Sequence, residues 1–140
     1  MHHYKGSCPC GQTTLEVALP RVIKHYAPRK CDCDFCQERK LSYLSDPNGA
    51  LTIASAQQLG EARQGSQQAV FLSCGSCSQI VGVVCSFGAE MKGAVNSSLL
   101  EQCEQLKAVV VVSPKELAAS EKLERWPLVW FPVCINTPDH

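Results

Sequence analysis

Net charge, long apolar runs and internal repeats are all missing from this sequence of 140 residues. Thirteen Lys and Arg residues cancel thirteen Asp and Glu residues, which leaves no basic footprint for nucleic acid and no polybasic patch for a membrane surface. The longest apolar stretches, such as Ala108 to Val112, are far too short to span a bilayer. The opening residues, Met1 to Cys8, lack the apolar core of a secretory signal, so the expected location is cytoplasmic. Strands do not alternate with long helices, which excludes a Rossmann-type α/β domain. What remains is a chain with 45% hydrophobic and 19% charged residues. That balance is globular, and the length suits a single domain over residues 1–140.

Cysteine is the residue in excess, with ten in the chain. Seven are clustered: Cys8-Pro9-Cys10, then Cys31-Asp32-Cys33-Asp34-Phe35-Cys36, then Cys74-Gly75-Ser76-Cys77. In a chain expected to stay in a reducing compartment, such spacing favours metal ligation over a disulfide framework. A closed structural zinc wants four ligands, whereas a catalytic zinc keeps three protein ligands and a free position. Seven cysteines divide as four plus three. The C-x-C and C-x-x-C pairs, from distant parts of the chain, form a four-ligand staple of Cys8, Cys10, Cys74 and Cys77. Cys31, Cys33 and Cys36 then hold a second ion with one position open. Gly11 and Gly75 let backbone N–H groups turn toward sulfur.

Several alternatives stand beside this division. A rubredoxin-like protein needs only four cysteines and leaves the triplet spare. Cys85, Cys103, Cys134 or His25 can close the triplet site as a fourth ligand, and an iron–sulfur centre is also held by thiolates. Cys85, Cys103 and Cys134 read more simply as packing residues, Cys85 sharing a strand face with Val83 and Phe87. A thioredoxin-type reading of Cys74-x-x-Cys77 lacks its βαβ setting. Asp32 and Asp34 flank the triplet as solvated turn residues or as proton-handling groups. Arg29, Lys30, Arg39 and Lys40 bracket it as an ordinary charged surface or as contacts for a ligand's carboxylates.

The secondary-structure pattern is mostly short strands, so the fold class is all-β with short helices. Thr13 to Leu19 alternates, with Leu15, Val17 and Leu19 on one face. Leu41 to Leu44, Ala50 to Ile53, Ala69 to Ser73, Gln79 to Ser86, Ala108 to Val112 and Leu128 to Ile135 complete the expected strands. Gly60 to Gln68 reads as a loop. One helix is signalled, capped by Ser113 with Pro114 and Glu116 behind it, carrying a stripe of Ala119, Leu123 and Trp126, and ending at Pro127. Ser55 with Gln58 is read as the cap of a shorter turn.

The residues also carry a resemblance. Gly6-Ser7-Cys8-x-Cys10-Gly11 before the Leu15-Glu16-Val17 strand resembles the opening of the glutathione-dependent formaldehyde-activating (GFA) family. Cys31-x-Cys33-x-x-Cys36, Asp46-Pro47 with Leu51-Thr52-Ile53, Phe71-Leu72-Ser73-Cys74-x-x-Cys77, and Val95-Asn96 with Leu99-Leu100 follow in the order that family shows. The likeness runs to about residue 103. It departs from the family at Gln37-Glu38-Arg39-Lys40, where an Arg and a Gly are usual, and at Ser78, where a Gly often follows the last cysteine. The resemblance implies a β-tent fold stapled by a structural zinc on Cys8, Cys10, Cys74 and Cys77. It implies a functional zinc on Cys31, Cys33 and Cys36 that meets the thiol of glutathione. The implied activity is that of a carbon–sulfur lyase acting on the adduct of glutathione and formaldehyde. The alternative is a non-catalytic zinc module that binds a small thiol or a protein partner.

Overall fold

The computed structural model describes residues 1–31, 37, 41–63, 69–112 and 119–137. Eleven strands dominate them: β1 His2–Ser7, β2 Thr13–Leu19, β3 Arg29–Cys31, β4 Tyr43–Leu44, β5 Ala50–Ser55, β6 Gly60–Arg63, β7 Val70–Ser73, β8 Ile80–Phe87, β9 Glu90–Asn96, β10 Val110–Val112 and β11 Phe131–Asn136. One α-helix, α1, spans Ala119–Val129, and short 3-10 turns occupy Ile23–His25, Ser97–Leu99 and Cys103–Gln105. The all-β expectation holds, and no described helix is long and apolar enough to cross a membrane.

The strands run in the order β1-β2-β5-β11-β9-β4-β3-β10, and a branch β6-β7-β8 joins through β9. Alternation explains the first part. On β2, Thr13, Leu15, Val17 and Leu19 are buried while the residues between them are not, as the period of two requires. Leu15 and Val17 lie opposite Ile53 and Leu51 of β5, and all four belong to the main core with Phe131 at its centre. Strand β11 ties two sheets together. Phe131 and Pro132 pair antiparallel with β9, whereas Val133 to Asn136 pair parallel with β5. Pro132, which has no N–H to give a ladder, sits at the changeover.

Strand β8 is buried on both faces, which is why its sequence, Ile80 to Cys85, is a continuous apolar run rather than an alternation. Val81 and Val84 face the main core, while Val83 and Cys85 join Ala69, Ala94 and Trp130 in a second cluster that also packs Trp126 and Val129 of α1. A bulge adjusts the phase: Leu72 pairs with Gly82 but Ser73 pairs with Ile80, so Val81 is the extra residue and turns to the core side.

Three expectations are corrected. The helix does not stop at Pro127; it runs on to Val129 with the proline inside it. The Trp130 N–H still donates to the Trp126 carbonyl at 2.8 Å, and the two indoles stack at 4.5 Å and 6°, which holds the last turn despite the missing N–H of residue 127. Strand β11 accordingly starts at Phe131 rather than Leu128. The Gly60–Gln68 loop begins as a strand, because Gly60 to Arg63 pair with Ser73 to Val70. Ser55 does cap a short turn, but through the Gln57 N–H, which its Oγ accepts at 3.2 Å, rather than through Gln58. The expected cap residues Ser113, Pro114 and Glu116 lie outside the described residues.

A candidate metal centre at two hairpin tips

Two antiparallel hairpins carry the C-x-C and C-x-x-C motifs at their tips. The first turns from β1 into β2 and the second from β7 into β8. Each tip is pinched by the same bond: Cys8 N–H to Thr13 O at 3.0 Å, and Cys74 N–H to Gln79 O at 2.9 Å. Inside the pinch the chain coils tightly, with Gly11 N–H on Cys8 O and Ser78 N–H on Cys74 O. Both coils exit through a left-handed residue. In the first it is Gly11 at φ 80°, which a glycine adopts without penalty; in the second it is Ser78 at φ 64°. Ser78 thus meets under strain the backbone requirement that Gly11 meets freely.

The segment after β5 stitches the tips together. Ser55 Oγ meets the Thr13 hydroxyl at 3.2 Å and Ala56 N–H donates to Gln12 O at 3.1 Å. The Gln58 carbonyl lies so close over Gly75 that any Cβ there would collide with it. Gly75 is thus needed for close approach rather than for a turn conformation.

The result is convergence of Cys8, Cys10, Cys74 and Cys77, whose sulfurs all lie within 4.8 Å of one another. Cys8 Sγ is 3.4 Å from Cys10 Sγ, which is 3.6 Å from Cys74 Sγ across 64 residues of sequence. Disulfides have a much shorter S–S bond, and these cysteines are free. A tetrahedron of sulfurs around zinc, with bonds near ~2.3 Å, has edges of about 3.8 Å. The observed separations sit close to that edge. Cys8 and Cys74 are buried while Cys10 and Cys77 face outward.

Backbone and hydroxyl donors favour the thiolate. Thr13 N–H donates to Cys8 Sγ and Ser76 N–H to Cys74 Sγ, both at 3.4 Å. Burial opposes ionisation of Cys74, yet the Thr13 hydroxyl, the N–H groups of Cys77 and Ser76, and Cys8 together bring its pKa down to about 6. Cys8 is likewise lowered, burial being outweighed by Thr13 N–H and the hydrogen bond with Cys10. For Cys10 the Gln12 N–H favours the thiolate, but burial and the three neighbouring thiols prevail and push it up to about 11. Four sulfurs crowded this closely cannot all carry charge without a cation among them. Distances, donors and crowding all fit a metal ion, so the cluster can hold one.

Thr13 escaped the sequence reading. Fully buried, it reaches Cys8 with its N–H and Ser55 and Cys74 with its hydroxyl. Only its place as the first inward residue of an alternating strand beside a C-x-C motif could have singled it out.

Cys31 is elsewhere. Cys31 closes β3, where its backbone pairs with Val112 of β10, far along the strand order from β1 and β2. Cys33 and Cys36 lie outside the described residues, as do Asp32, Asp34, Arg39 and Lys40. Among the described residues no other group of three metal-ligating side chains gathers. Cys85 is buried with Val83 and Phe87 as expected, and Cys103 packs against the main core. Cys134 does not pack; it is exposed on β11, because the inward positions of that strand are Phe131, Val133 and Ile135.

No protein-family model and no curated protein matches the chain. A crystal structure of a Rhodobacter sphaeroides protein, determined as a structural genomics target, is similar with a TM-score of 0.57. It is 23% identical, and the match covers 77% of this chain and 99% of that one. The likeness is one of fold.

Proposed function

We propose that the chain is a two-zinc protein of the GFA type, acting as a carbon–sulfur lyase on the adduct of a small thiol, with glutathione and formaldehyde as the model pair. One zinc is structural, on Cys8, Cys10, Cys74 and Cys77. The second is held by Cys31, Cys33 and Cys36 with a position open to the thiol. The observation that carries this reading is the convergence of the four hairpin cysteines. It satisfies a closed site completely and leaves the triplet to a separate ion. When bound at the triplet, zinc supplies the Lewis acidity that keeps a thiol ionised near neutral pH.

The reaction class is simple in its balance. Thiol sulfur bonds to the aldehyde carbon and the proton passes to the oxygen; the reverse breaks the C–S bond and restores both partners. The chain's own work is to supply three thiolate donors, the first of which closes β3, and to hold that strand end in place. Arg29 and Lys30 lie directly before the first donor on the same strand, where cationic groups can meet an anionic thiol compound.

Elemental analysis of untagged protein should give two zinc ions per chain, and X-ray absorption should show an added sulfur ligand at saturating glutathione. The rate of glutathione addition to formaldehyde should rise over the uncatalysed rate. One zinc per chain would refute the two-site reading. Added sulfur without a rate effect would leave a thiol-binding module in place of an enzyme.

A further inference from the structure

A cavity of about 290 Å³ opens beside β3, between Arg29, the Ser45–Pro47 turn and the end of α1 at Leu128 and Val129. Two opposite charges line it without joining. The partly buried Arg29 guanidinium donates to Ser45 Oγ and makes no ion pair with a carboxylate among the described residues. Burial, and then the nearby Arg125, make its charge costly and lower its pKa. Asp46 has its two carboxylate oxygens aimed by protein donors, Oδ2 by the Tyr26 hydroxyl at 2.7 Å and Oδ1 by the Asn48 N–H at 2.8 Å. Both donors are neutral, so the carboxylate charge is oriented but not cancelled. Leu128 and Val129 give the cavity an apolar side.

A guanidinium facing a space shared with a fixed carboxylate is complementary to a ligand that carries both charges itself. We propose that this cavity binds the zwitterionic amino-acid head of a small molecule, its carboxylate on Arg29 and its ammonium toward Asp46. The volume admits such a head. Cys31 follows Arg29 by two residues on β3, a backbone advance of about 7 Å. The cavity therefore opens beside the strand that carries the first cysteine of the triplet. The inference deepens the proposed function and rests on it only for the thiol end of the ligand; head-group binding stands by itself.

The test uses S-methylglutathione, which keeps the amino-acid head but has no free thiol for a metal, titrated by calorimetry into the protein as purified. Saturable binding is expected, weakened at least tenfold by Arg29→Gln. Its N-acetyl derivative, which lacks the ammonium, and its diethyl ester, which lacks the carboxylates, should each bind at least tenfold more weakly to the unaltered protein. These ligand changes decide the matter even if Arg29→Gln misfolds, which its melting curve would reveal. Asp46→Asn, which keeps an oxygen acceptor, should weaken S-methylglutathione but not the N-acetyl derivative. No binding of S-methylglutathione, or equal binding of all three compounds, would overturn the inference. Formaldehyde addition measured in parallel separates the two claims. Head-group binding without any rate effect would refute the proposed function alone, and a rate effect whose KM for glutathione is indifferent to a folded Arg29→Gln would refute the cavity's role alone.

Discussion

The hairpin-tip cysteines and the triplet start from differently braced parts of the sheet. Cys8 and Cys10 lead into β2, which makes six registered pairs with β1 on one side and six with β5 on the other. Cys31 ends a strand of three residues that makes one pair with β4 and three with β10. Around the hairpin tips the polar atoms are matched by Thr13, Ser55 and Ala56. Around β3 the bracing comes from outside the ladder, through Lys107 N–H on Tyr26 O, Val110 N–H on Pro28 O, and the Tyr26 bond to Asp46. A corner built like the first suits an ion that holds a fold together. A strand end built like the second can yield to a ligand at little cost to the core.

The strongest way to break that contrast is to remove ligands from each site. Cys8→Ser or Cys77→Ser should abolish the cooperative melt or leave the protein insoluble, since binding at a structural zinc adds directly to folding free energy, on the order of 10 kcal/mol in small zinc domains. Cys33→Ser or Cys36→Ser should instead leave a folded protein lacking one zinc equivalent. Circular dichroism melting with elemental analysis reads both, and equal melting of the two groups would erase the distinction.

A smaller effect is expected at Thr13. Thr13→Val keeps the shape and the N–H but removes the hydroxyl that reaches Cys74. Partners of metal ligands are commonly worth about 10-fold to 100-fold in affinity, so competition with a chromogenic chelator should show a loss in that range. The same assay should find no loss in Cys85→Ala, Cys103→Ala or Cys134→Ala.

At the β3 end, Tyr26→Phe should lower stability by about 1 kcal/mol, the net worth of one hydrogen bond. Burial first, then the bond to Asp46, raise the Tyr26 pKa from 10.0 to about 12. A raised value favours the neutral phenol in the folded state. Its contribution is therefore complete below pH 10 and is lost as the pH rises through about 12. Denaturant melts at pH 8 and pH 11.5 should show the variant's deficit shrinking toward the higher pH.

The smallest change compares the two tips with each other. Ser78→Gly relieves a left-handed residue but gives the unfolded chain more freedom, so the net gain should be only about 0.5 kcal/mol. Gly11→Ala, at the matching position of the first tip, should lose about 1 kcal/mol. Opposite signs in parallel melts would establish that the two tips impose one backbone rule.

Legibility in the sequence followed how local each constraint is. Strand β2 could be read to the residue because one face is buried and the other is not. The run at β8 was visible as a strand, although the bulge that assigns Val81 to the main core depends on its partner β7. Strand β1 was missed, since an edge strand of His2-His3-Tyr4-Lys5-Gly6-Ser7 buries only Gly6. There a Cβ would collide with the Leu99 carbonyl. Strand β9 was missed too: its second half, Gly93 to Asn96, is buried on every residue and shows no alternation. Spacing marked two cysteine pairs, and the four ligands that a closed site needs joined them. Nothing local announces Thr13, or that Arg29 and Asp46 line one cavity.

The two-sheet span of β11 has a consequence for how the molecule is made. Synthesis runs from the N-terminal side, so everything the hairpin tips require, through Gln79 and β8, is translated before Phe131. The four-cysteine corner can thus assemble on a growing chain while the outer edge of β5 still has no neighbour. Only when β11 arrives are the two sheets locked to each other. Premature termination between those points would yield a fragment with its four cysteines gathered and the edge of β5 open, a template for aggregation.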